Sequence, residues 1–105
     1  MLVGLSMNRE ILSDWVKMQI AYEGSGRNLG KKLGVDQELL RCWRDKKVNS
    51  LTEVSVKKIA RYRNETPLQT RAWVAGMSVA DFLENELKGL PEHVLVEVFD
   101  RIQSL

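Results

Sequence analysis

Apolar residues recur at intervals of three and four along most of the chain, and no stretch alternates regularly between apolar and polar residues. This spacing is typical of amphipathic helices rather than strands. Asn8 can cap a first helix, which is expected to end near Glu23 because Gly24-Ser25-Gly26 is unfavourable inside a helix. The apolar stripe of this helix consists of Ile11, Leu12, Trp15, Val16 and Met18.

Two shorter helices are predicted next. The first covers residues 27–33, and Gly34 ends it because glycine accepts the left-handed backbone that follows many helices. The second begins at Asp36, a suitable capping residue, and extends to about Asp45. Its inward-facing residues are expected to be Leu39, Leu40 and Trp43.

The fourth and fifth helices have recognisable start signals. Ser50-Leu51-Thr52-Glu53 matches a capping box and opens a fourth helix that extends through Arg63. Proline suits the first position of a helix, so Thr66-Pro67 opens a fifth, which Gly76 ends. The candidate packing positions of the fourth helix are Val54, Val56, Ile59, Ala60 and Tyr62.

Two more helices complete the chain. Ser78 and Asp81 open a sixth, which runs through Leu87 and ends at Gly89, and Pro91 begins a seventh. Seven short helices with short connections predict a compact all-α domain. The apolar stripe of the last helix consists of Val94, Leu95, Val98, Phe99 and Ile102.

Composition narrows the class of protein. The chain has 105 residues, 44% of them hydrophobic, which suits one domain with its own core. It contains no apolar run of the roughly 18 residues that a membrane span needs, and residues 1–6 do not resemble a secretory signal. Cys42 and His93 are the only soft metal ligands, and no pattern of catalytic residues is present. We therefore expect a cytoplasmic protein that is not an enzyme and holds no metal or cofactor.

The charge is unevenly distributed. The formal net charge is +2, but residues 27–63 contain 11 basic and 4 acidic residues. Residues 76–105 contain 2 basic and 6 acidic residues. A basic central segment is typical of proteins that bind a polyanion, although charged residues on solvated helix faces give the same count.

The segment 26–45 has the layout of a helix-turn-helix, in which two short helices are joined by about three residues that include a glycine. Gly30 allows close approach of the two helices, and Gly34 can adopt the left-handed turn. The apolar positions that such a unit needs are occupied by Leu29, Leu33, Val35, Leu40 and Trp43.

These residues resemble those of a known family. Residues 29–43, LGKKLGVDQELLRCW, are similar to the helix-turn-helix of lambda-repressor/Cro-like proteins of the XRE type, and residues 57–62 to the fourth helix of that fold. The similarity covers roughly residues 8–76 and implies a DNA-binding domain over residues 1–76. Two positions depart from the family pattern. Gly30 stands where alanine is usual, and Asp45-Lys46 stands where many members have glycine, so the following loop is expected to differ.

The resemblance implies that the helix from Asp36 to Asp45 enters the major groove. Gln37 would read adenine and Arg41 guanine, while the carboxylates of Asp36 and Glu38 either shape the helix or accept from a cytosine amino group. The implied base contacts are Gln37, Glu38, Arg41 and Cys42. The implied phosphate contacts are Arg27, Asn28, Lys31, Arg44, Lys46 and Lys47.

Residues 77–105 form a predicted C-terminal helical extension. The stretch from Leu90 to Ile102 is similar to a short segment of small antitoxin-like proteins. The last helix either packs on the core or presents its apolar stripe to a second copy or another protein. A homodimer would place two recognition helices about 34 Å apart on DNA.

The resulting expectation is a transcriptional regulator, such as a repressor, that binds a near-palindromic site on double-stranded DNA as a dimer. The alternative is an interaction or antitoxin-like protein whose C-terminal helices bind a partner, with DNA binding secondary or lost.

Overall fold

Six helices fill residues 7–87, the part of the chain that this computed structural model describes. No strand occurs within those residues, so the predicted all-α class is confirmed. The predicted seventh helix, its apolar stripe and His93 lie outside the described residues. The helices are α1 (Arg9–Glu23), α2 (Gly26–Leu33), α3 (Gln37–Arg44), α4 (Glu53–Arg63), α5 (Pro67–Ala75) and α6 (Val79–Leu87).

Most helix ends follow the local signals. The Asn8 side chain accepts from the backbone N–H groups of Glu10 and Ile11 at the start of α1. At the start of α5, Thr66 and Gln69 form a capping box, with proline at the first helical position. The Ser78 hydroxyl accepts from the Asp81 N–H at 3.1 Å and caps α6. The predicted ends at Gly24, Gly34 and Gly76 are confirmed, each with a positive φ.

The start of α4 differs from the prediction. Its N-cap is Thr52 rather than Ser50, and the Thr52 hydroxyl oxygen accepts from the Ser55 N–H at 3.1 Å. Ser55 is buried and also receives a hydrogen bond from the Thr52 hydroxyl at 3.0 Å, which fixes the first turn. Ser50 is exposed and precedes the helix. Ser50 and Thr52 are both of residue types that cap helices, and the structure uses the later one, whose hydroxyl bonds to the buried Ser55.

One hydrophobic core joins the helices. α1 packs against α2 and α3, while α4 packs against α2 and α5. Met18 and Val54, which were expected to pack inward, are 64% and 60% exposed. Each lies two residues from a buried valine on its own helix, about 200° around the axis, and therefore faces the opposite side. The core cluster consists of Leu12, Trp15, Val16, Leu29, Leu33, Leu40, Trp43, Ile59 and Val74.

An aromatic cluster of Trp15, Tyr62 and Trp73 connects α1, α4 and α5. The Trp15 ring meets the Tyr62 ring edge to face at 5.6 Å and the Trp73 ring at 5.5 Å between centroids. The Arg63 guanidinium lies 3.8 Å from the centroid of the Trp73 ring. These contacts place aromatic and cationic groups where they attract each other, and they hold three helices together.

The last described helix, α6, packs against α5 and buries Phe82. Gly76 lies between the two helices, at the predicted boundary between residues 1–76 and 77–105. The division of the chain into a DNA-binding part and an extension stays a prediction. Within residues 7–87, no helix is both long and apolar enough to cross a membrane.

Candidate nucleic-acid interface

α2 and α3 are joined by a turn of three residues and pack against each other. Gly34 has a φ of 77°, and its N–H donates to the carbonyl of Gly30 at 2.8 Å. The Val35 N–H donates to the same carbonyl at 3.0 Å. Two N–H groups of the turn thus provide hydrogen bonds for the Gly30 carbonyl near the end of α2, through a backbone conformation that glycine adopts without strain.

Gly30 lies where α2 meets this turn. A Cβ added at this buried position would lie 3.1 Å from the carbonyl oxygen of Val35. Alanine, the usual residue of the resembled family, would therefore require the turn to move by a few tenths of an ångström. A close approach does occur at this glycine, but the nearest group is the backbone of the turn rather than the second helix that the sequence prediction named.

Two side chains from neighbouring helices hold α3 and the turn in place. The Lys58 Nζ on α4 donates to the Gly34 carbonyl at 2.6 Å. The Ser13 hydroxyl on α1, fully buried, donates to the Arg44 carbonyl at the end of α3, also at 2.6 Å. Neither role, that of Lys58 at the turn or that of Ser13 at the end of α3, was predicted from the sequence. The position of Ser13 beside Leu12 on the buried side of α1 was the one available signal.

α3 ends in a Schellman arrangement in spite of the missing glycine. The Lys47 N–H donates to the Cys42 carbonyl at 2.9 Å, and the Lys46 N–H to the Trp43 carbonyl at 3.3 Å. Lys46 takes the left-handed conformation, with a φ of 60°. Its Nζ lies 2.9 Å from the Glu10 carboxylate on α1. Lys46 thus adopts, at the end of α3, a backbone conformation that glycine would adopt without strain.

The two sides of α3 have opposite characters. Leu40 and Trp43, 2% and 1% exposed, anchor its inner side, as predicted. Gln37, Glu38 and Arg41 are exposed on its outer side. Of the four candidate base-contacting residues, Cys42 alone is half-buried. The outer side therefore presents one amide, one carboxylate and one guanidinium group to solvent.

The six candidate phosphate contacts fall into two groups. Arg27, Lys31 and Lys47 are exposed, and no salt bridge engages them within residues 7–87. Asn28 has a structural role, since its Nδ2 donates to the Glu23 carbonyl at 2.9 Å at the end of α1. Arg44, Lys46 and Asn28 thus already have partners in the protein.

Arg44 is paired with the adjacent carboxylate. Its Nε lies 3.0 Å from the Oδ1 of Asp45. The hydrogen bond and the attraction between the two charges raise the pKa of Arg44 and lower the pKa of Asp45. Asp45 therefore stays ionised well below neutral pH, and this ion pair offsets part of the positive charge near the end of α3.

Two surface depressions bring five of the ten candidate contact residues together on one side of the molecule. An open depression of about 470 Å³ beside the turn is lined by Arg27 and Lys31 of α2 and by Gln37 of α3. A smaller one of about 70 Å³ is lined by Gln37, Arg41 and Arg44. Gln37 belongs to both, so these five residues form a continuous face, called here the α2–α3 face.

Comparisons with protein-family models, curated proteins and solved structures found no match to this chain. Function is therefore inferred from the α2–α3 face itself. Within residues 7–87, no group of three His, Cys, Asp or Glu side chains could hold a metal ion.

Proposed function

We propose that the protein is a sequence-specific DNA-binding transcriptional regulator that inserts α3 into the major groove. The observation that carries the proposal is the two-sided character of α3. Its inner side is fixed by Leu40 and Trp43, while Gln37 and Arg41 are exposed on the outer side. A helix fits the major groove, where glutamine can pair with adenine and arginine with guanine.

The exposed cations beside α3 support this function. Arg27 and Lys31 belong to the α2–α3 face, and Lys47 follows the end of α3 in the chain. None of the three has an ion-pair partner among the described residues. Such residues neutralise phosphates and release counterions, so each contact makes the fall of log affinity with log salt concentration steeper by about 0.9. Arg44 and Lys46 are expected to contribute less, because each would have to leave a carboxylate.

A dimer belongs to the proposal on geometric grounds. α3 has eight residues and exposes few side chains that can reach bases, so one copy reads a short half-site. Two copies on a near-palindromic site would place their recognition helices one helical turn of DNA apart, about 34 Å. Regulation would then follow from occupancy of the site by the bound dimer.

The test is a selection from random double-stranded oligonucleotides with the full chain, followed by fluorescence anisotropy on the selected duplex. Arg41→Ala is expected to reduce the preference for that duplex over random DNA by about 1–3 kcal/mol. Lys31→Ala should weaken binding to both duplexes by the same factor and make log affinity fall less steeply with log salt concentration. Lys17→Ala, an exposed change on α1, serves as the control and should leave both affinities unchanged.

Two results would contradict the proposal. One is a selection that enriches no sequence while the protein is folded by circular dichroism. The other is an enriched duplex whose affinity is unchanged by Arg41→Ala and Gln37→Ala, because recognition would then lie elsewhere on the molecule.

A further inference from the structure

Glu38 and Arg41 form an ion pair on the outer side of α3. The Oε2 of Glu38 lies 3.2 Å from the Nη1 of Arg41, and the two side chains are 70% and 56% exposed. Residues three apart on a helix are neighbours on one side of it. Arg41 lies between Gln37 and Glu38 around the helix axis, and all three are exposed on the side of α3 that the proposed function assigns to DNA.

A carboxylate is unfavourable at this place unless it has a specific role. Glu38 would approach a groove lined by phosphates, which repel negative charge. The bond to Arg41 leaves the pair with no net charge, so the two groups can enter the groove together at a smaller electrostatic cost. Arg44 does not compete for Glu38, since it is paired with Asp45 at 3.0 Å.

We infer that Glu38 and Arg41 act as one unit that reads a single G·C base pair, with Arg41 on the guanine and Glu38 on the cytosine. The inference rests on the proposed function and specifies the base pair that α3 recognises. Guanine presents two acceptors, O6 and N7, in the major groove, and cytosine presents a donor at N4. The ion pair presents the complement, a donor group beside an acceptor.

The spacing of the pair fits this assignment. Within a G·C pair, cytosine N4 donates to guanine O6, so these atoms are about 2.9 Å apart. The 3.2 Å between Nη1 and Oε2 is similar. Arg41 keeps further N–H groups for guanine O6 and N7, and Glu38 keeps its second oxygen for the outward N–H of cytosine N4.

Other base pairs fit less well. In a T·A pair, thymine would take the place of guanine and offer O4 as its sole acceptor in the major groove, beside a methyl group, so Arg41 would lose its two-point contact. Adenine would take the place of cytosine, and its acceptor N7, next to the N6 donor, would repel the Glu38 carboxylate. A reversed C·G pair places donor and acceptors in the opposite order. The ion pair also orders the Arg41 side chain before binding, which reduces the entropy lost in the complex.

The test is to repeat the oligonucleotide selection with Glu38→Ala and Arg41→Ala and compare the positions at which base preference is lost. Both variants should lose a G preference at the same position of each half-site. The affinity ratio between G·C and the other base pairs there should fall by about 5- to 150-fold in Arg41→Ala. Glu38→Gln, which keeps an acceptor oxygen but loses the charge, should have an intermediate ratio.

A second readout separates base reading from a structural role. Glu38→Ala removes a negative charge near phosphates, so its affinity for random DNA should be unchanged or higher while its preference for the G·C position falls. If Glu38 were merely structural, affinity for both duplexes would fall together. Thermal unfolding by circular dichroism provides the folding control, and both side chains are exposed enough for the variants to fold.

Several results would overturn the inference while the proposed function stands. These are losses at two different positions, an unchanged preference in Glu38→Ala, or a shared position that is not G·C. If the unaltered protein enriches no sequence at all, the proposed function fails and the inference fails with it.

Discussion

The α2–α3 face and the aromatic cluster of Trp15, Tyr62 and Trp73 differ in how their side chains are used. In the cluster, rings and the Arg63 guanidinium are engaged with one another across three helices. On the α2–α3 face, the side chains contact solvent or a carboxylate close by in the sequence, as Arg41 does with Glu38 and Arg44 with Asp45. The difference indicates that the face can change its chemistry while the fold persists, whereas the cluster cannot.

The largest test of this contrast is Trp15→Ala. The side chain is 7% exposed and contacts both other rings, so its removal should lower the free energy of unfolding by about 3–5 kcal/mol. Urea unfolding followed by circular dichroism measures the loss. Trp15→Phe should lose less, and Arg41→Ala should stay within about 0.5 kcal/mol of the unaltered protein. A loss below about 1 kcal/mol for Trp15→Ala would remove the contrast.

The second test concerns the attachment of α3 to the core. Ser13→Ala deletes the hydroxyl that donates to the Arg44 carbonyl and should cost about 1–3 kcal/mol, because the carbonyl loses its partner in a partly buried place. Asp14→Ala, at the exposed next position of α1, is the matched control and should change stability by less than about 0.5 kcal/mol. Equal losses in the two variants would show that the bond does not hold α3.

The third test uses pH at the edge of the aromatic cluster. The Tyr62 hydroxyl donates to Glu23 at 2.7 Å and contacts Gln19 at 3.0 Å. Burial, followed by the bond to Glu23, raises the pKa of Tyr62 from 10.0 to about 12. Its protonated form is thus favoured in the folded state, and the stabilisation is complete below pH 10 and lost as the pH rises toward 12.

The matching measurement is the stability of the unaltered protein relative to Tyr62→Phe as a function of pH. The advantage of tyrosine should be constant near neutral pH and decline between about pH 10 and 12. All other ionisable groups are common to the two proteins, so their contributions cancel in the difference. A difference independent of pH would mean that the Tyr62 hydroxyl is neither buried nor bonded to Glu23 in solution.

The smallest test is Lys46→Gly at the end of α3. Glycine relieves a left-handed conformation that costs an L-residue about 1–2 kcal/mol, while the lost ion pair with Glu10 is worth about 0.2–1 kcal/mol. The free energy of unfolding of Lys46→Gly, measured by thermal unfolding, should therefore be higher than that of the unaltered protein by roughly 0.5 kcal/mol. Lys46→Ala loses the ion pair without relieving the backbone and should be less stable than Lys46→Gly. The reverse order would exclude the left-handed conformation.

Sequence reasoning succeeded where one residue decides the local backbone. Gly34 ends α2, and Thr66-Pro67 begins α5, because the preferences of these residues act within a single turn. It was less reliable where several residues compete, as at Ser50 and Thr52. Lys46 adopts a left-handed φ that its residue type does not predict, since the surrounding chain imposes it.

The candidate site follows the same division. The helical period separates the inner from the outer residues of α3, so Leu40 and Arg41 could be assigned to opposite sides. The bonds from Lys58 to Gly34 and from Ser13 to Arg44 join residues 24 and 31 positions apart, and they depend on how helices pack. Local patterns carry no record of such pairings, nor of the ion pair between Lys46 and Glu10.

The most direct test of the central claim is protection of guanine N7 from dimethyl sulfate on the selected duplex. N7 faces the major groove, where the outer side of α3 is proposed to lie. The account predicts that the unaltered protein protects one guanine in each half-site and that Arg41→Ala, at a concentration that saturates the duplex, restores its methylation. Full methylation under saturating unaltered protein would contradict it.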